Sequence, residues 1–402
     1  MIERIDALMT TLPKDWEIKT FRDISTINQG LQIPISQRLK APTEHAKFYI
    51  TIQALNNRKE FEYIKTYNES VVCHKDDILM TRTGNTGMVI TNIEGVFHNN
   101  FFKINFDRTL INKDFLVYFL SLEQTQRTIL KKAGTSTIPD LNHNDFYSLT
   151  IPLPPLNEQN AIANILSGLD RYLCALDALI LKKEGVKKSL SFELLSQRKR
   201  LKGFNQAWQR VRLGTYKYRR GSFPQPYGNP QWYSDNGMPF VQVYDVGENF
   251  KLTQKTKQKI SKIAQPMSVF VPKNSVIITL QGTIGRVALT QYDCYCDRTI
   301  LIFDNNTLND VNKYFFVLSL FTKFEEEKRK ADGSIIKTIT KQTLKDFEIP
   351  LPPLNEQIAI ANILSDLDNE ITSLKNKKRQ FENIKKALNH DLMSAKIRVL
   401  EK

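Results

Sequence analysis

The chain has 402 residues, of which 41% are hydrophobic and 25% are charged, so it is long enough for two or three globular domains with buried cores. No apolar run approaches the roughly 20 residues of a membrane-spanning helix, and the first residues do not resemble a signal peptide, so we expect a cytoplasmic protein. The formal net charge of +15 is typical of proteins that bind polyanions such as nucleic acids.

The first predicted body, about residues 12 to 150, has the pattern of a mixed structure rich in β-strand. Residues 77–81 read DILMT, a buried-strand pattern that runs into a turn containing Gly84 and Gly87. Residues 114–120 read DFLVYFL and predict one short buried element, either a helix or a strand on periodicity alone. Trp16 stands near the beginning of this body.

A long helix is predicted next, from about Leu156 to Ser196. Pro154 and Pro155 suit its first turn, where a missing N–H costs little, and Glu158 complements the helix dipole. Apolar residues then follow at heptad-like spacing, which indicates a stripe that needs a partner helix. That stripe comprises Ile162, Leu166, Leu169, Leu173, Leu176 and Ile180.

The second body, about residues 205 to 348, repeats the first pattern. Residues 275–279 read SVIIT before Gly282 and Gly285, and residues 312–318 supply another short apolar element. Trp208 stands near its beginning, as Trp16 does in the first body. The residues around these landmarks differ, so we predict two different ligands of one kind on a shared fold.

The chain then repeats its connector almost letter for letter. Residues 151–170 read IPLPPLNEQNAIANILSGLD and residues 349–368 read IPLPPLNEQIAIANILSDLD, a displacement of 198 residues. Periods of about 20 to 50 residues indicate solenoids or propellers, so this much longer period indicates two domain-sized halves. Eleven of the fifteen net positive charges lie in residues 171–204 and 369–402, on the connectors.

The simplest partner of each apolar stripe is the stripe of the other connector. Two equal helices from a duplicated chain can pair antiparallel around a pseudo-two-fold axis, while a homodimer through the same stripes is the competing arrangement. A helix of about 40 residues at ~1.5 Å each spans roughly 60 Å, comparable with one and a half to two turns of B-DNA.

The sequence gives no sign of an active site of its own. Asn229-Pro230-Gln231-Trp232 approaches the Asn-Pro-Pro-aromatic motif of amino-methyltransferases, but Gln231 breaks it and no Gly-rich cofactor loop accompanies it. A phosphate-binding loop for ATP is absent from the sequence, and the histidines lack metal-ligand spacing. We interpret Cys73, Cys174, Cys294 and Cys296 as free thiols.

The order of body, PPLNEQ helix, body and PPLNEQ helix resembles that of specificity subunits of type I restriction-modification systems. The resemblance covers essentially the whole chain, and segments 151–159 and 349–357 carry it most strongly, together with the two tryptophans and the glycine pairs. It implies an α+β fold in which two strand-rich target recognition domains are joined by two long antiparallel coiled-coil helices with pseudo-two-fold symmetry. The implied domains are 1–150 and 205–348 for recognition and 151–204 and 349–402 for the spacer helices.

The same resemblance implies the partners. Each recognition domain would read one half of a bipartite double-stranded DNA target, and two methyltransferase subunits and restriction subunits with ATP-driven translocation would join the complex. This chain would bind no cofactor itself, and S-adenosylmethionine, ATP and Mg would be bound by the partner subunits. Two other classes stay open: a self-sufficient methyltransferase or nuclease, and a basic coiled-coil adaptor that binds RNA or acidic proteins.

Base reading needs Arg or Lys for guanine and Asn or Gln for adenine, on loops that can enter the major groove. Loop residues of these types are our candidate DNA-binding residues. In the first body they are Gln37, Arg38, Lys40, Arg82, Thr83 and Asn85. In the second body they are Lys217, Arg219, Arg220, Gln225, Tyr227, Gln281 and Thr283.

The repeated PPLNEQ motif has two interpretations. Its near-identity suits packing at the start of each helix, and it also suits two equivalent docking surfaces for two methyltransferase subunits. We favour both roles together. The candidate docking residues are Pro155, Leu156, Glu158, Gln159, Pro353, Leu354, Glu356 and Gln357.

Overall fold

A computed structural model describes residues 12–56, 61–134, 136–282, 284–330 and 341–399 of the chain. The chain forms two compact units: Met1–Ala178 with Asn376–Lys402, which is discontinuous in sequence, and Leu179–Lys375, which is continuous. Each unit contains one strand-rich body together with part of each of two long helices. None of the helices among these residues combines the length and apolar character that a bilayer crossing requires.

The first body is built from short strands and helices. Its strands are β1 (Glu17–Thr20), β2 (Ser25–Gln29), β3 (Lys47–Ile50), β4 (Tyr63–Ile64), β5 (Val72–Cys73), β6 (Ile78–Thr81), β7 (Val89–Ile90), β8 (Gly95–Phe97), β9 (Phe101–Phe106) and β10 (Thr150–Leu153). Its helices are α1 (Phe21–Ile24), α2 (Ile52–Asn56), α3 (Lys113–Leu120), α4 (Glu123–Ala133) and α5 (His143–Tyr147), and the first long helix, α6 (Leu156–Leu195), follows.

Two four-stranded sheets form the centre of this body, in the orders β2-β9-β6-β7 and β4-β3-β8-β5, while β1 pairs with β10. Strand β6 is buried on both faces. Because successive strand residues point to opposite faces, Ile78 and Met80 join a core with α3, α4 and α5, whereas Leu79 joins the core beneath β3 and β8. This explains why the DILMT segment is continuously apolar.

The second body has the same plan. Its strands are β11 (Gln209–Arg212), β12 (Tyr218–Arg220), β13 (Tyr233–Val241), β14 (Gln258–Ile260), β15 (Val269–Val271), β16 (Val276–Thr279), β17 (Val287–Leu289), β18 (Cys294–Cys296), β19 (Ile300–Phe303) and β20 (Glu348–Leu351). Its helices are α7 (Lys313–Lys330) and α8 (Lys341–Asp346), and the second long helix, α9 (Leu354–Met393), follows.

The sheet orders of the second body are β12-β19-β16-β17 and β14-β13-β18-β15, with β11 paired to β20. Strand β16 occupies the place of β6, and its side chains divide between two cores in the same way. The two short apolar elements that periodicity left undecided are helical, and the second of them extends to Lys330. The predicted repetition of one strand-rich fold is therefore confirmed.

The long helices pair antiparallel within each unit. In the first unit, Ile162 and Leu166 near the start of α6 share a core with Leu392 and Met393 at the end of α9. In the second unit, the start of α9 shares a core with the end of α6 in the same way. The predicted fold class, two strand-rich bodies with long antiparallel helices, is confirmed. In both units, the apolar residues at the start of one long helix pack with residues at the end of the other long helix of the same chain.

Candidate nucleic-acid interface

The loop after β2 carries three of the first-body candidates, which differ in exposure. Gln37 and Lys40 are exposed, but Arg38 is only 15% exposed and its Nη1 lies 2.9 Å from Glu62 Oε2. Nε and Nη2 of Arg38 also donate to the Ile33 carbonyl oxygen at 2.9 and 2.7 Å. Burial opposes ionisation of Glu62, but hydrogen bonds from Lys40 and Arg38 outweigh it and lower the pKa of that carboxyl. Arg38 thus holds the loop together.

The other three candidate DNA-binding residues of the first body lie in the glycine turn after β6. Arg82 Nη2 lies 2.6 Å from Asp140 Oδ2, and the Thr83 hydroxyl donates to the other oxygen of that carboxylate. Asn85 at the tip of the turn is exposed. Asp140, which sequence reasoning missed, therefore ties this turn to the loop before α5.

In the second body most candidates are exposed. Lys217, Arg219 and Arg220 precede or lie on the edge strand β12, and Arg219 Nη2 donates to the Phe270 carbonyl oxygen at 3.1 Å. The exposed side chains of Gln225 and Gln281 lie in the following loop and at the glycine turn, and Thr283 lies outside the described residues.

Tyr227 is half-buried in an aromatic cluster with Phe223 and Tyr233, and its hydroxyl donates to Asp297 Oδ1 at 3.2 Å. The Arg298 guanidinium lies 5.2 Å from the centre of the same ring. Burial, followed by the charge of Asp297, raises the pKa of Tyr227. Tyr227 thus supports a surface that carries Arg298, a cation that sequence reasoning missed.

Strand register shows which residues of the two bodies correspond. Asn28 pairs with Lys103, which pairs with Leu79, and Arg219 pairs with Ile302, which pairs with Ile277. Leu79 and Ile277 are separated by the same 198 residues as the repeated motif. Arg219 and Arg220 therefore correspond to Asn28 and Gln29.

The glycine that follows each pair supports this correspondence. A Cβ on Gly30 would lie 2.2 Å from the Phe97 carbonyl oxygen, and a Cβ on Gly221 would lie 2.3 Å from the Cys296 carbonyl oxygen. Both positions therefore require glycine because a neighbouring backbone approaches too closely. Gln37, Arg38 and Lys40 follow Gly30 by seven residues or more, so they do not correspond to the Arg219 segment of the second body.

The glutamates of the PPLNEQ motifs are buried in equivalent networks. Glu158 Oε2 accepts from Trp16 Nε1 at 3.0 Å and from Arg398 Nη2 at 2.6 Å. Glu356 Oε2 accepts from Trp208 Nε1 at 3.1 Å and from Arg200 Nη2 at 2.7 Å. Each carboxylate thus joins the beginning of a body to the end of the opposite helix within one unit.

The glutamines of the motifs bind backbone groups. Gln159 Oε1 accepts from the Asn112 N–H before α3 at 2.9 Å, and Gln357 Oε1 accepts from the Asn312 N–H before α7 at 2.9 Å. Their Nε2 groups donate to the carbonyl oxygens of Pro154 and Pro352 at 2.9 and 2.8 Å. Each carboxamide therefore fastens a body helix to the start of a long helix.

The remaining docking candidates lie nearer the surface. Pro155 and Leu354 are exposed, and Leu156 and Pro353 are half-buried. The repeat thus has two layers: buried Glu and Gln side chains that hold the unit together, and Pro and Leu side chains that contact solvent.

Arg200 and Arg398 are functional residues of these networks that sequence reasoning missed. Each follows a long helix, and they are separated by 198 residues, which was the available signal. The chain reaches them through Gln197 and Ala395, whose φ angles of 62° and 56° reverse its direction after the helix ends.

The described residues contain no group of three or more histidine, cysteine, aspartate or glutamate side chains arranged to hold a metal ion. Cys294 and Cys296 are buried in the second body, where burial raises the pKa of the Cys296 thiol.

A family model described as "Type I restriction modification DNA specificity domain" matches residues 13–184 and 225–383. The chain belongs to this family. It is 24% identical over 415 residues to the type I restriction enzyme MjaVIII specificity subunit of Methanocaldococcus jannaschii, covering 96% of this chain and 94% of that protein.

Solved structures agree on the fold. The type I restriction-modification S subunit from M. genitalium superposes with a TM-score of 0.61 at 17% identity, covering 95% of this chain and 97% of that one. A structure titled for complex assembly and conformational transition of the type I R-M system gives a TM-score of 0.60 at 18% identity, covering 95% and 98%. At these identities the likeness concerns the fold alone.

Proposed function

We propose that this family member is a sequence-specific DNA-recognition subunit in which each body reads one half of a bipartite, asymmetric target. The observation that carries the proposal is the unlike chemistry at one repeated position. At this position the first body has the half-buried Asn28 and Gln29, whose side chains bond to Asn105 and to the Asn99 carbonyl oxygen. The second body has the exposed Arg219 and Arg220 there. Asn and Gln pair with adenine and Arg pairs with guanine in the major groove, so the two bodies are suited to different bases.

The long helices would set the unspecified spacer between the two half-targets. Each of them contains 40 residues. At about 1.5 Å per residue such a helix is about 60 Å long, and one turn of B-DNA spans about 34 Å. A rod of that length suits two recognition events separated by about one and a half to two turns of DNA.

The assembly that follows from this role is also a proposal. Two methyltransferase subunits would dock on the exposed Pro and Leu side chains at the starts of α6 and α9, and restriction subunits would join them. The chain would be non-catalytic, and the partner subunits would bind S-adenosylmethionine, ATP and Mg. The exposed cations of the connectors would add affinity for phosphates that does not depend on sequence.

Methylation mapping tests this function. A host carrying the two partner genes is sequenced for methylated adenines with and without this chain. We expect one asymmetric motif with two defined parts and a fixed gap, present only with the chain. Methylation independent of the chain would overturn the proposal, as would binding of RNA or acidic proteins in preference to duplex DNA by the purified chain.

A further inference from the structure

Each unit has one junction at which its body contacts both long helices. These two junctions are separate from the candidate base-reading residues. In the first unit, the Tyr118 hydroxyl of α3 donates to Asp170 Oδ2 of α6 at 2.6 Å. Lys385 of α9 forms an ion pair with the other oxygen of Asp170, and its ammonium lies 5.2 Å from the centre of the Tyr118 ring. Three elements therefore meet at one carboxylate.

The second unit builds the same junction. The Tyr314 hydroxyl of α7 donates to Asp368 Oδ2 of α9, and Lys187 of α6 forms an ion pair with Asp368 Oδ1. The Lys187 ammonium lies 5.2 Å from the centre of the Phe250 ring, which packs edge-on against Tyr314 at 6.5 Å. Here the aromatic partner of the lysine is a second ring from the body.

The tyrosines of the two junctions do not occupy equivalent positions. The aspartates and the lysines are each separated by 198 residues. Asn112 and Asn312 are equivalent, because each caps its helix by accepting from the backbone N–H three residues later. Tyr118 follows Asn112 by six residues, however, whereas Tyr314 follows Asn312 by only two. Positions four residues apart lie on one helix face, one turn apart. The same hydroxyl-to-carboxylate bond is thus made from two different places, as expected if the bond itself is required.

The chemistry of the junctions suits orientation better than stability. Partly exposed ion pairs contribute little net stability, and apolar packing is non-directional. A hydrogen bond to a carboxylate that is also held by a lysine is short and directional, so it resists rotation of a body on the helices. Burial raises the pKa of both tyrosines, which keeps the hydroxyls as donors.

We propose that Tyr118 and Tyr314 are positioning residues that fix the angle of each body on the helix pair and so determine how strictly the DNA spacer length is enforced. This inference rests on the proposed function. The hydroxyl of each tyrosine limits rotation of its body, and loss of the hydroxyl lets that body reach a half-target displaced by one base pair.

The test uses the full-length chain assembled with its methyltransferase subunits. The probes are duplexes that carry the mapped target with its natural spacer or with a spacer one base pair shorter or longer. For the wild type we expect binding to weaken about 100-fold on an altered spacer, since one half-target is then misplaced. In Tyr118→Phe and in Tyr314→Phe we expect that penalty to fall to about tenfold, with affinity for the natural spacer within about threefold.

Tyr147→Phe is the matched control, because the Tyr147 hydroxyl accepts from the Ile27 N–H inside the first body at 3.1 Å. It should leave the spacer penalty unchanged. If Tyr118→Phe does not fold, Asp170→Ala replaces it: this variant removes the carboxylate that accepts from the Tyr118 hydroxyl, so the penalty should again fall.

The outcomes distinguish failure of the positioning role from failure of the proposed bipartite recognition. A reduced spacer penalty in either tyrosine variant supports the positioning role. An unchanged penalty in both, or an equal loss of affinity on all three spacers, overturns it and leaves the tyrosines as packing residues. A wild-type complex that binds all three spacers equally would instead overturn the bipartite recognition on which the inference rests.

Discussion

The two units use different chemistry at one equivalent contact between the long helices. In the first unit, Tyr172 of α6 packs against Phe381 of α9 with ring centres 4.7 Å apart. In the second unit, the equivalent residues are Glu370 and Lys183, which form an ion pair at 2.8 Å. Glu370 lies 198 residues after Tyr172, and Phe381 lies 198 residues after Lys183. Pairing two copies of α6 would place Tyr172 opposite Lys183 and would lose both the aromatic contact and the ion pair.

The contacts made by the glutamates and glutamines of the PPLNEQ motifs, by contrast, are the same in both units. Glu158 and Glu356 each bind a tryptophan and an arginine, and Gln159 and Gln357 each bind the N–H before a body helix. The duplicated chain has therefore kept the attachment of the bodies and diversified both the helix contact and the base-reading strand. Attachment and recognition can then be altered separately.

The largest effect is expected from the shared attachment. Arg200→Met or Arg398→Met leaves a buried carboxylate, on Glu356 or Glu158, without its cation. Removing one partner of a fully buried ion pair costs about 3 to 5 kcal/mol, but the two arginines are 28% and 37% exposed. We therefore expect a smaller loss of about 2 to 3 kcal/mol in the free energy of unfolding for both variants, measured by urea denaturation.

The control for these variants is Arg212→Met, because Arg212 is 69% exposed and its ion pair with Glu348 lies at the surface. Its cost should stay below about 1 kcal/mol. A cost of that small size in Arg200→Met would show that the buried network does not hold the second unit together.

The recognition strands should respond one at a time. Arg220→Ala should weaken binding by about 1 to 3 kcal/mol and relax base preference in one half of the target, as judged by binding to duplexes with single base changes. Arg210→Ala, which removes an exposed cation from β11 in the same unit, should lower affinity without changing preference. Equal losses on all sequences would identify Arg220 as a phosphate contact.

The unlike helix contacts should differ in their response to salt. Double-mutant cycles should give a coupling of about 0.5 to 1.5 kcal/mol for Tyr172 with Phe381 and about 0.2 to 1 kcal/mol for Lys183 with Glu370. In 1 M salt the coupling of the ion pair should disappear, whereas that of the aromatic pair should persist, because added ions screen charges. Equal salt sensitivity would remove the distinction between the units.

Much of the fold was predictable because duplication and periodicity are local properties of a sequence. The repeated motif marked the start of each long helix, and the predicted first helix, Leu156 to Ser196, ends one residue from the observed end. The buried strands at 77–81 and 275–279 were recognisable because both of their faces are apolar.

The candidate interface was less predictable, because exposure and partner contacts depend on tertiary structure. Arg38 and Arg82 have the residue type of a base reader, but each is bound by a carboxylate of its own body. Asn28 and Gln29 escaped notice because they lie in a strand and align with Arg219 and Arg220 only through hydrogen-bond register. The junction tyrosines were hidden because they occupy different turns of their helices.

The smallest expected effect concerns the ends of the long helices, where the units agree again. Gln197 and Ala395 have positive φ angles of 62° and 56°, a region that glycine adopts without strain. Gln197→Gly should raise the free energy of unfolding by about 0.5 to 1 kcal/mol, because its exposed side chain contributes little packing. Ala395→Gly should gain less, because Ala395 packs against the first core.

Lys188→Gly provides the opposite control, since Lys188 is exposed in the interior of α6, where glycine costs about 0.8 to 1 kcal/mol. Urea denaturation of the three variants should therefore give gains at both helix ends and a loss within the helix. A loss at Gln197 comparable with that at Lys188 would mean that the helix does not end in the left-handed conformation. The path of the chain from the helix to Arg200 and Glu356 would then need a different explanation.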